Sequence, residues 1–425
     1  MLGHLLQIWR SRDLRYKILL TLGILAFVRI VAHIPLPGID RAELANFLGQ
    51  SQNQIFNVLS AFTGGSMSNI SINLLGVGPY ITASIVVQLL TKIVPAWEEI
   101  SKEGTSGREK LNQYSRYLTV PMGIVQGYGT LILLKSQQVI PNVGLKEIAI
   151  MLTVILATSL FVMWLGELIS ERGLGNGISL IIALGIVSGL PQQFGNTISI
   201  AQGGNISALI TVGVVALLTI AVIVIMNDAE RKVPVTYPRR SVTPTTGQGV
   251  ASYLPLKVNA SGVIPIIFAL SFMTFPAIIA RFLSTASSEM LRRWADAATS
   301  FVSNNLYYGI SYFILVFVFT FFYTFVVFQP KEISENLQKQ GGFIPGVRPG
   351  SETASFLNYS ITRLTVIGAI FLSVIAVLPN ILQATSGLKT LVIGGTSILI
   401  VVSVVIETSR QVASQLSMRR YDTIT

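Results

Sequence analysis

The sequence predicts an all-α polytopic membrane protein. Three observations carry that reading. Of the 425 residues, 51% are hydrophobic and only 12% charged, a balance foreign to soluble domains. The uncharged apolar stretches number about ten and are long enough, or nearly long enough, to cross a bilayer. The charges that remain gather in the segments between them.

The first stretch, residues 18–34, follows a basic N-terminal segment. That order resembles a secretory signal, but RIVAHIPLPG offers no convincing small-residue cleavage site and the run is long enough to span, so it is read as a retained first helix. The second, 76–95, begins late. From Pro79 to Thr91 only 13 residues precede Lys92, and at about 1.5 Å per residue they rise about 20 Å through a hydrocarbon core about 30 Å thick. Upstream, FTGGSMSNISI is rich in Gly, Ser and Asn. Two readings of region 56–75 stand: a surface loop outside the membrane, or a re-entrant segment that completes the short span. Irregular backbone survives at membrane depth only when buried in protein or lining a wet cavity. The short span therefore favours a re-entrant plug, small and polar, around Gly64 and Gly65 with Ser66, Ser68, Asn69, Ser71 and Asn73.

Spans three to six are expected near 117–134, 148–166, 176–195 and 207–226. From Gly173 to Asn227 there are 55 consecutive uncharged residues. The seventh span, 262–280, opens like the second: GVGPYITAS from Gly76 and GVIPIIFALS from Gly262 share Gly-Val-x-Pro-x-Ile. With five spans in each half the two helices would cross in opposite directions, the pattern of an inverted repeat around a central pathway; four matched residue types are also within the reach of chance. Spans eight to ten are expected near 306–328, 364–383 and 391–406. Residues 1–206 then form one half and 207–425 the other, with long loops at about 227–261 and 329–362.

Placing the N-terminus in the cytoplasm puts most of the 30 Lys and Arg residues in cytoplasmic loops, so both termini are expected there. The net charge of +11 is read as sorting loops and supplying docking surfaces, with no direct nucleic-acid specificity. The two long loops are polar, contain Pro and Gly, and are too short for separate domains, so they are read as docking surfaces or ordered hairpins.

Several functions are disfavoured. The chain has no cysteine and two histidines, which removes thiolate chemistry and nearly all imidazole chemistry; no cofactor is expected. GTSG, Gly104–Gly107, matches a serine-nucleophile pattern but lies in the charged segment KEGTSGREK, read as a loop, with no histidine in a span to act as base. GLGNG, Gly173–Gly177, follows a membrane helix where a phosphate loop would follow a strand, and is read as a tight helix–helix turn. A small-solute transporter would carry intramembrane charges that select and couple. Here Glu167, Glu171, Asp228, Glu230 and Glu407 all fall at predicted cytoplasmic span ends, and Arg29 lies near the outer end of the first.

Long strings in order along nearly the whole chain resemble the SecY family of protein-conducting channels: IPLPGID (34–40), GPYITASIVVQLL (78–90), KEGTSGREKLNQYSRY (102–117), MWLGELISERGLGNGISLII (163–182), ERKVPVTYPRR (230–240), LPLKVNASGVIPIIFA (254–269), GGFIPGVRPGSETASFL (341–357) and GGTSILIVV (394–402). The resemblance implies ten transmembrane helices in two inverted pseudo-symmetric halves around a central pore, with a plug containing Phe62, Thr63, Gly64, Gly65 and Ser66. It implies an aliphatic pore ring at Val77, Ile81, Ile178, Ile182, Ile267 and Ile400, and a lateral gate between the second and seventh spans. Thr82, Ser84, Gln88 and Ser271 are read either as tuning that gate or as ordinary helix–helix hydrogen-bonding groups. The implied partners are SecE as a clamp, SecG, the SecA motor, the ribosome, preprotein signal sequences and nascent membrane proteins, and membrane lipid. Docking would use Arg239, Arg240 and Arg348. The neutral stretch SVTPTTGQGVAS after Arg240 departs from relatives that continue basic there, and Val77 stands where Ile is commoner. The implied location is the bacterial inner membrane, with both termini cytoplasmic and a thylakoid membrane as the alternative.

Overall fold

The computed structural model describes residues 12–37, 70–136, 140, 144–201, 206–237, 250–273, 289–386 and 395–422. The chain is mostly helical, and each of the ten expected stretches overlaps a helix: α1 (Arg12–Val31), α2 (Gly78–Ile93), α4 (Thr105–Ser136), α5 (Leu145–Arg172), α6 (Gly177–Ala201), α7 (Ile206–Asp228), α8 (Ile264–Met273), α10 (Asn305–Val327), α12 (Ser351–Ser386) and α13 (Gly395–Asp422). Three shorter helices complete the described set: α3 (Pro95–Lys102), α9 (Glu289–Ser303) and α11 (Pro330–Lys339).

Proline punctuates the short second span. Pro79 sits in the first turn of α2, where its missing N–H costs nothing, and Pro95 ends it by forcing Val94 into extended backbone (φ −101°, ψ 114°). The chain bends by 102° into α3. At 16 residues α2 rises about 24 Å, so the shortfall read from the sequence is real.

Other helices overrun their expected limits. α4 has 32 residues and α12 has 36, or about 48 and 54 Å, well beyond the bilayer core. Charged residues ended the sequence reading of these spans, but an α-helix needs only its backbone hydrogen bonds and continues into water. The GTSG segment is corrected for the same reason: it is not a loop. Gly104 makes the turn and Thr105 opens α4, while Lys102 closes α3. GLGNG is the expected tight turn between α5 and α6.

Within the helical fold there is one β element, in a loop for which the sequence left a docking surface and an ordered hairpin as the two readings. Strands β1 (Glu230–Tyr237) and β2 (Val250–Lys257) pair antiparallel from Glu230↔Lys257 to Tyr237↔Val250. This ordered hairpin lies in the first long loop. Its β-branched and aromatic residues suit a ribbon, and Pro234 and Pro255 are tolerated because both strands are edges. One face, with Val233, Val235 and Leu256 buried, packs on Leu337 of α11, Ile344, and Leu357 and Ile361 of α12. The second long loop is α11 and a turn that bridges to β1 through Thr236 and Phe343.

Helices α1, α2, α4, α5 and α6 pack among themselves, as do α7, α10, α12 and α13; α6 touches both α7 and α13. Outward faces stay apolar: Leu217 and Ile225 on α7 and Ile314 and Val318 on α10 are exposed, as lipid-facing positions should be.

Candidate functional site

All six sequence-implied ring residues fall in one hydrophobic cluster, to which α2, α6, α8 and α13 all contribute. Val77, Ile81, Ile182, Ile267 and Ile400 are buried and Ile178 packs against them, together with Ile24 and Val28 of α1, Val162, Leu165 and Ile169 of α5, Phe268 of α8 and Val404 of α13. Four separate stretches supply the six: 76–90, 173–195, 262–280 and 395–406. None of the four contains Asp, Glu, Lys or Arg. Phe268 is steadied edge-on by Phe319 and Tyr323 of α10, at 6.0 and 5.8 Å between ring centroids.

The elements that aim these side chains have local causes. Gly76 has φ +53° and Gly262 has φ +63°, left-handed backbone that a side chain would strain. After each, the chain enters a helix through Val and then Pro, and the hydrogen bonds match: Ile81 N–H donates to Val77 O as Ile267 N–H donates to Val263 O. The Gly-Val-x-Pro-x-Ile echo is therefore a repeated backbone hinge that launches α2 and α8 alike. The α5–α6 turn is fixed by contact: a Cβ on Gly177 would stand 1.9 Å from the Gly166 carbonyl oxygen. Ile178 Cδ1 and Ile181 Cδ1 lie against Gly166, so Ile178 also fills a helix–helix groove.

Preceding α2, residues 70–77 are non-helical and largely buried. Ile70, Ser71, Asn73, Leu74 and Leu75 are 0 to 4% exposed. They are pinned to the end of α1 by Leu36 N–H to Ile70 O and Ile72 N–H to Ile34 O, and covered by Leu131, Leu134, Met151 and Ile155. Ile70 holds φ +37°, a strained setting for a β-branched residue. The Ser71 hydroxyl is buried without a hydrogen-bond partner among the described residues. Phe62, Thr63, Gly64, Gly65 and Ser66 lie outside the described residues.

Of the polar residues that the resemblance places at a gate, Thr82 pairs across helices: its hydroxyl donates to Gly78 O and accepts from Gln126 Nε2 of α4, both at 3.1 Å. Ser84 Oγ accepts from Gln88 Nε2 within α2. Ser271 is half-buried on α8. Sequence reasoning missed Gln126, and it missed Ser159, a small polar residue within an apolar span whose buried hydroxyl donates to Gly76 O at 2.7 Å and so clamps the first hinge. It also missed Thr21, which accepts from Leu174 N–H and ties α1 to the α5–α6 turn. Each pairing joins residues more than 40 apart in the chain, and nothing local announces them.

Arg348 is exposed on a turn with two fastenings. Thr353 Oγ1 donates to Arg348 O at 2.8 Å, and Ser334 Oγ donates to Gly350 O at 2.6 Å. Arg239 and Arg240 lie outside the described residues. On neighbouring α3, the hydrogen bond and charge of Lys102 hold the Glu98 carboxyl below its ordinary range.

Comparison with known proteins gives the family and the fold. The family model described as SecY matches residues 71–409. The protein translocase subunit SecY of Mycobacterium bovis is 38% identical, covering 99% of each chain. Among solved structures, a SecY channel whose plug domain is described as stabilising the closed state and maintaining a membrane seal superposes with a TM-score of 0.62 at 20% identity, covering 94% of this chain and 91% of that one. Sec61 in the canine ribosome–channel complex from the endoplasmic reticulum gives a TM-score of 0.60 at 20% identity, with the same coverage.

Proposed function

The chain belongs to the SecY family, and we propose that it is the pore of a protein-conducting channel that passes unfolded preproteins across the membrane and releases hydrophobic helices sideways into the bilayer. One observation carries this reading: aliphatic side chains from α2, α6, α8 and α13 converge in one cluster within segments free of charge. Val77, Ile81, Ile178, Ile182, Ile267 and Ile400 form the constriction. A narrow apolar collar dewets, so it holds back ions without fixed charges, and it offers no hydrogen bonds to trap a moving polypeptide.

The plug lies in the segment before α2, with Phe62 to Ser66 at its centre. The buried, irregular backbone of 70–77 supports this, as does the plug domain described for the solved SecY channel. The two halves, 1–206 and 207–425, part between α2 and α8. A passing segment gains about 0.3 to 0.6 kcal/mol per central Leu, Ile, Phe or Val in the bilayer and loses about 2.5 to 3.5 per charged residue, so an opening seam sorts substrates by hydrophobicity. Thr82, Ser84, Gln88 and Ser271 tune that seam.

The hairpin and the Arg348 turn form the docking face, extended by Arg239 and Arg240. A ribosome or the SecA motor supplies the energy there; the ribosome complex described for Sec61 supports this use of the fold. SecE clamps the halves and SecG joins them. The setting is a bacterial inner membrane with both chain termini in the cytoplasm.

The test is protease protection of a radiolabelled preprotein in proteoliposomes holding this chain and SecE, with SecA and ATP. Protection that requires ATP and disappears when the signal sequence is deleted is expected. No protection, with a known translocase active in parallel and this chain shown folded and paired with SecE, would remove the channel reading and direct attention to small-solute uptake.

A further inference from the structure

We propose that α9 is an interfacial membrane helix, lying along the bilayer surface with Met290, Trp294, Ala297 and Phe301 seated among lipid acyl chains. The inference needs α10 to span the bilayer but does not depend on channel activity.

The sequence EMLRRWADAATSFVS divides around the helix. At 100° per residue, Met290, Trp294, Ala297 and Phe301 fall within an arc of about 60°, while Glu289, Arg292, Arg293, Asp296, Thr299, Ser300 and Ser303 occupy a separate arc of about 120°. Met290 is 70% exposed, Trp294 68% and Phe301 44%, whereas Ala295, on the opposite flank of the apolar side, is 1% exposed. The helix is thus docked by one edge of its apolar side, and the other edge is uncovered. Three large apolar side chains in one exposed line are not the surface of an element bathed in water.

What covers the line follows from its continuation. α9 leads through Asn304 into α10, and the Asn304 side chain accepts from the Leu306 and Tyr307 backbone N–H groups, which stiffens the corner. The Phe301 and Tyr307 rings stack across it, 5.9 Å apart and 6° from parallel. From there Leu306, Ile310 and Ile314 continue the exposed apolar surface along α10, a helix long and apolar enough to cross a membrane. The α9 stripe and the lipid-facing side of α10 form one surface, so acyl chains are the occupant. Trp294 and Tyr307 have the amphipathic rings favoured at headgroup depth, and Arg293, paired with Glu289, flanks the stripe where headgroup phosphates would lie.

The absence of native cysteine makes the test direct. Spin labels are placed singly through Met290→Cys, Phe301→Cys, Ser300→Cys and Ile314→Cys. The labelled protein is reconstituted in vesicles of phosphatidylethanolamine and phosphatidylglycerol, and collisions with oxygen and with a water-soluble nickel chelate are compared. The expected oxygen-to-nickel ratio at 290 and 301 is several-fold above that at 300 and below that at 314. Ratios at 290 and 301 equal to that at 300 would overturn the proposal, as would exclusion of both reagents, the mark of a protein partner or a second copy. A water-like ratio at 314 would overturn it by removing α10 from the membrane. Should Met290→Cys fail to reconstitute, Ala297→Cys reads the same stripe with a smaller change.

Discussion

At the scale of single residues, the proposed ring positions differ in what a substitution would disturb. Ile178 fills the space against Gly166, so a polar replacement there would loosen the α5–α6 contact as well as the collar. Ile400, buried in the central cluster from α13, is the cleaner probe. Ile400→Asn should hydrate the constriction, raise resting ion conductance in planar bilayers several-fold and relax the need for a strong signal sequence; unchanged conductance would remove Ile400 from the ring. Gly177 makes a different point. Its Cβ would collide with the Gly166 carbonyl oxygen and Ile169 Cβ, so Gly177→Ala should cost about 1 to 3 kcal/mol and lower the thermal unfolding midpoint in detergent. Gly213, helical with open space around its Cβ position, is the control, and Gly213→Ala should be neutral or slightly stabilising.

At the scale of elements, the hairpin and the Arg348 turn, proposed above as the docking face, share a small core of their own. The β-hairpin contributes Val233, Val235 and Leu256 to a cluster with Leu337, Ile344, Leu357 and Ile361, and the Arg348 turn rides on the same unit. Leu256→Ala should cost about 2 to 5 kcal/mol of local packing. It should expose the hairpin to proteolysis and weaken SecA or ribosome binding, with resting ion conductance unchanged; a rise in resting leak would mean that this unit and the pore are one cooperative body. The repeated hinge at Gly76 and Gly262 is also an element-scale finding. A four-residue echo within chance in the sequence acquires physical meaning once both glycines hold the same left-handed backbone and both following helices start with the same hydrogen bond.

At the scale of the whole molecule, α2 and α8 meet in the central cluster although 170 or more residues separate them, and the sideways release proposed above requires that contact to open. Joining Ile85→Cys to Val263→Cys with a bifunctional maleimide should abolish lateral release of a signal helix while leaving the resting seal intact. Continued insertion at full rate with the crosslink verified by gel shift would place the exit elsewhere.

The sequence alone determined the membrane class, the approximate positions of the helices that overlap the expected stretches, the late start of the second and the apolar character of the segments that meet in the central cluster. Composition, period and proline placement are local properties, and the bilayer acts on them directly. Tertiary structure decided where helices stop in water, how two distant glycines become equivalent hinges, and which hydroxyls pair across helices, as Ser159 does with Gly76 and Thr82 with Gln126. It also decided that the first long loop is an ordered hairpin sharing a core with α11 and α12. These outcomes depend on which surfaces come together, and six aliphatic residues drawn from four distant stretches become one cluster only when the helices that carry them pack.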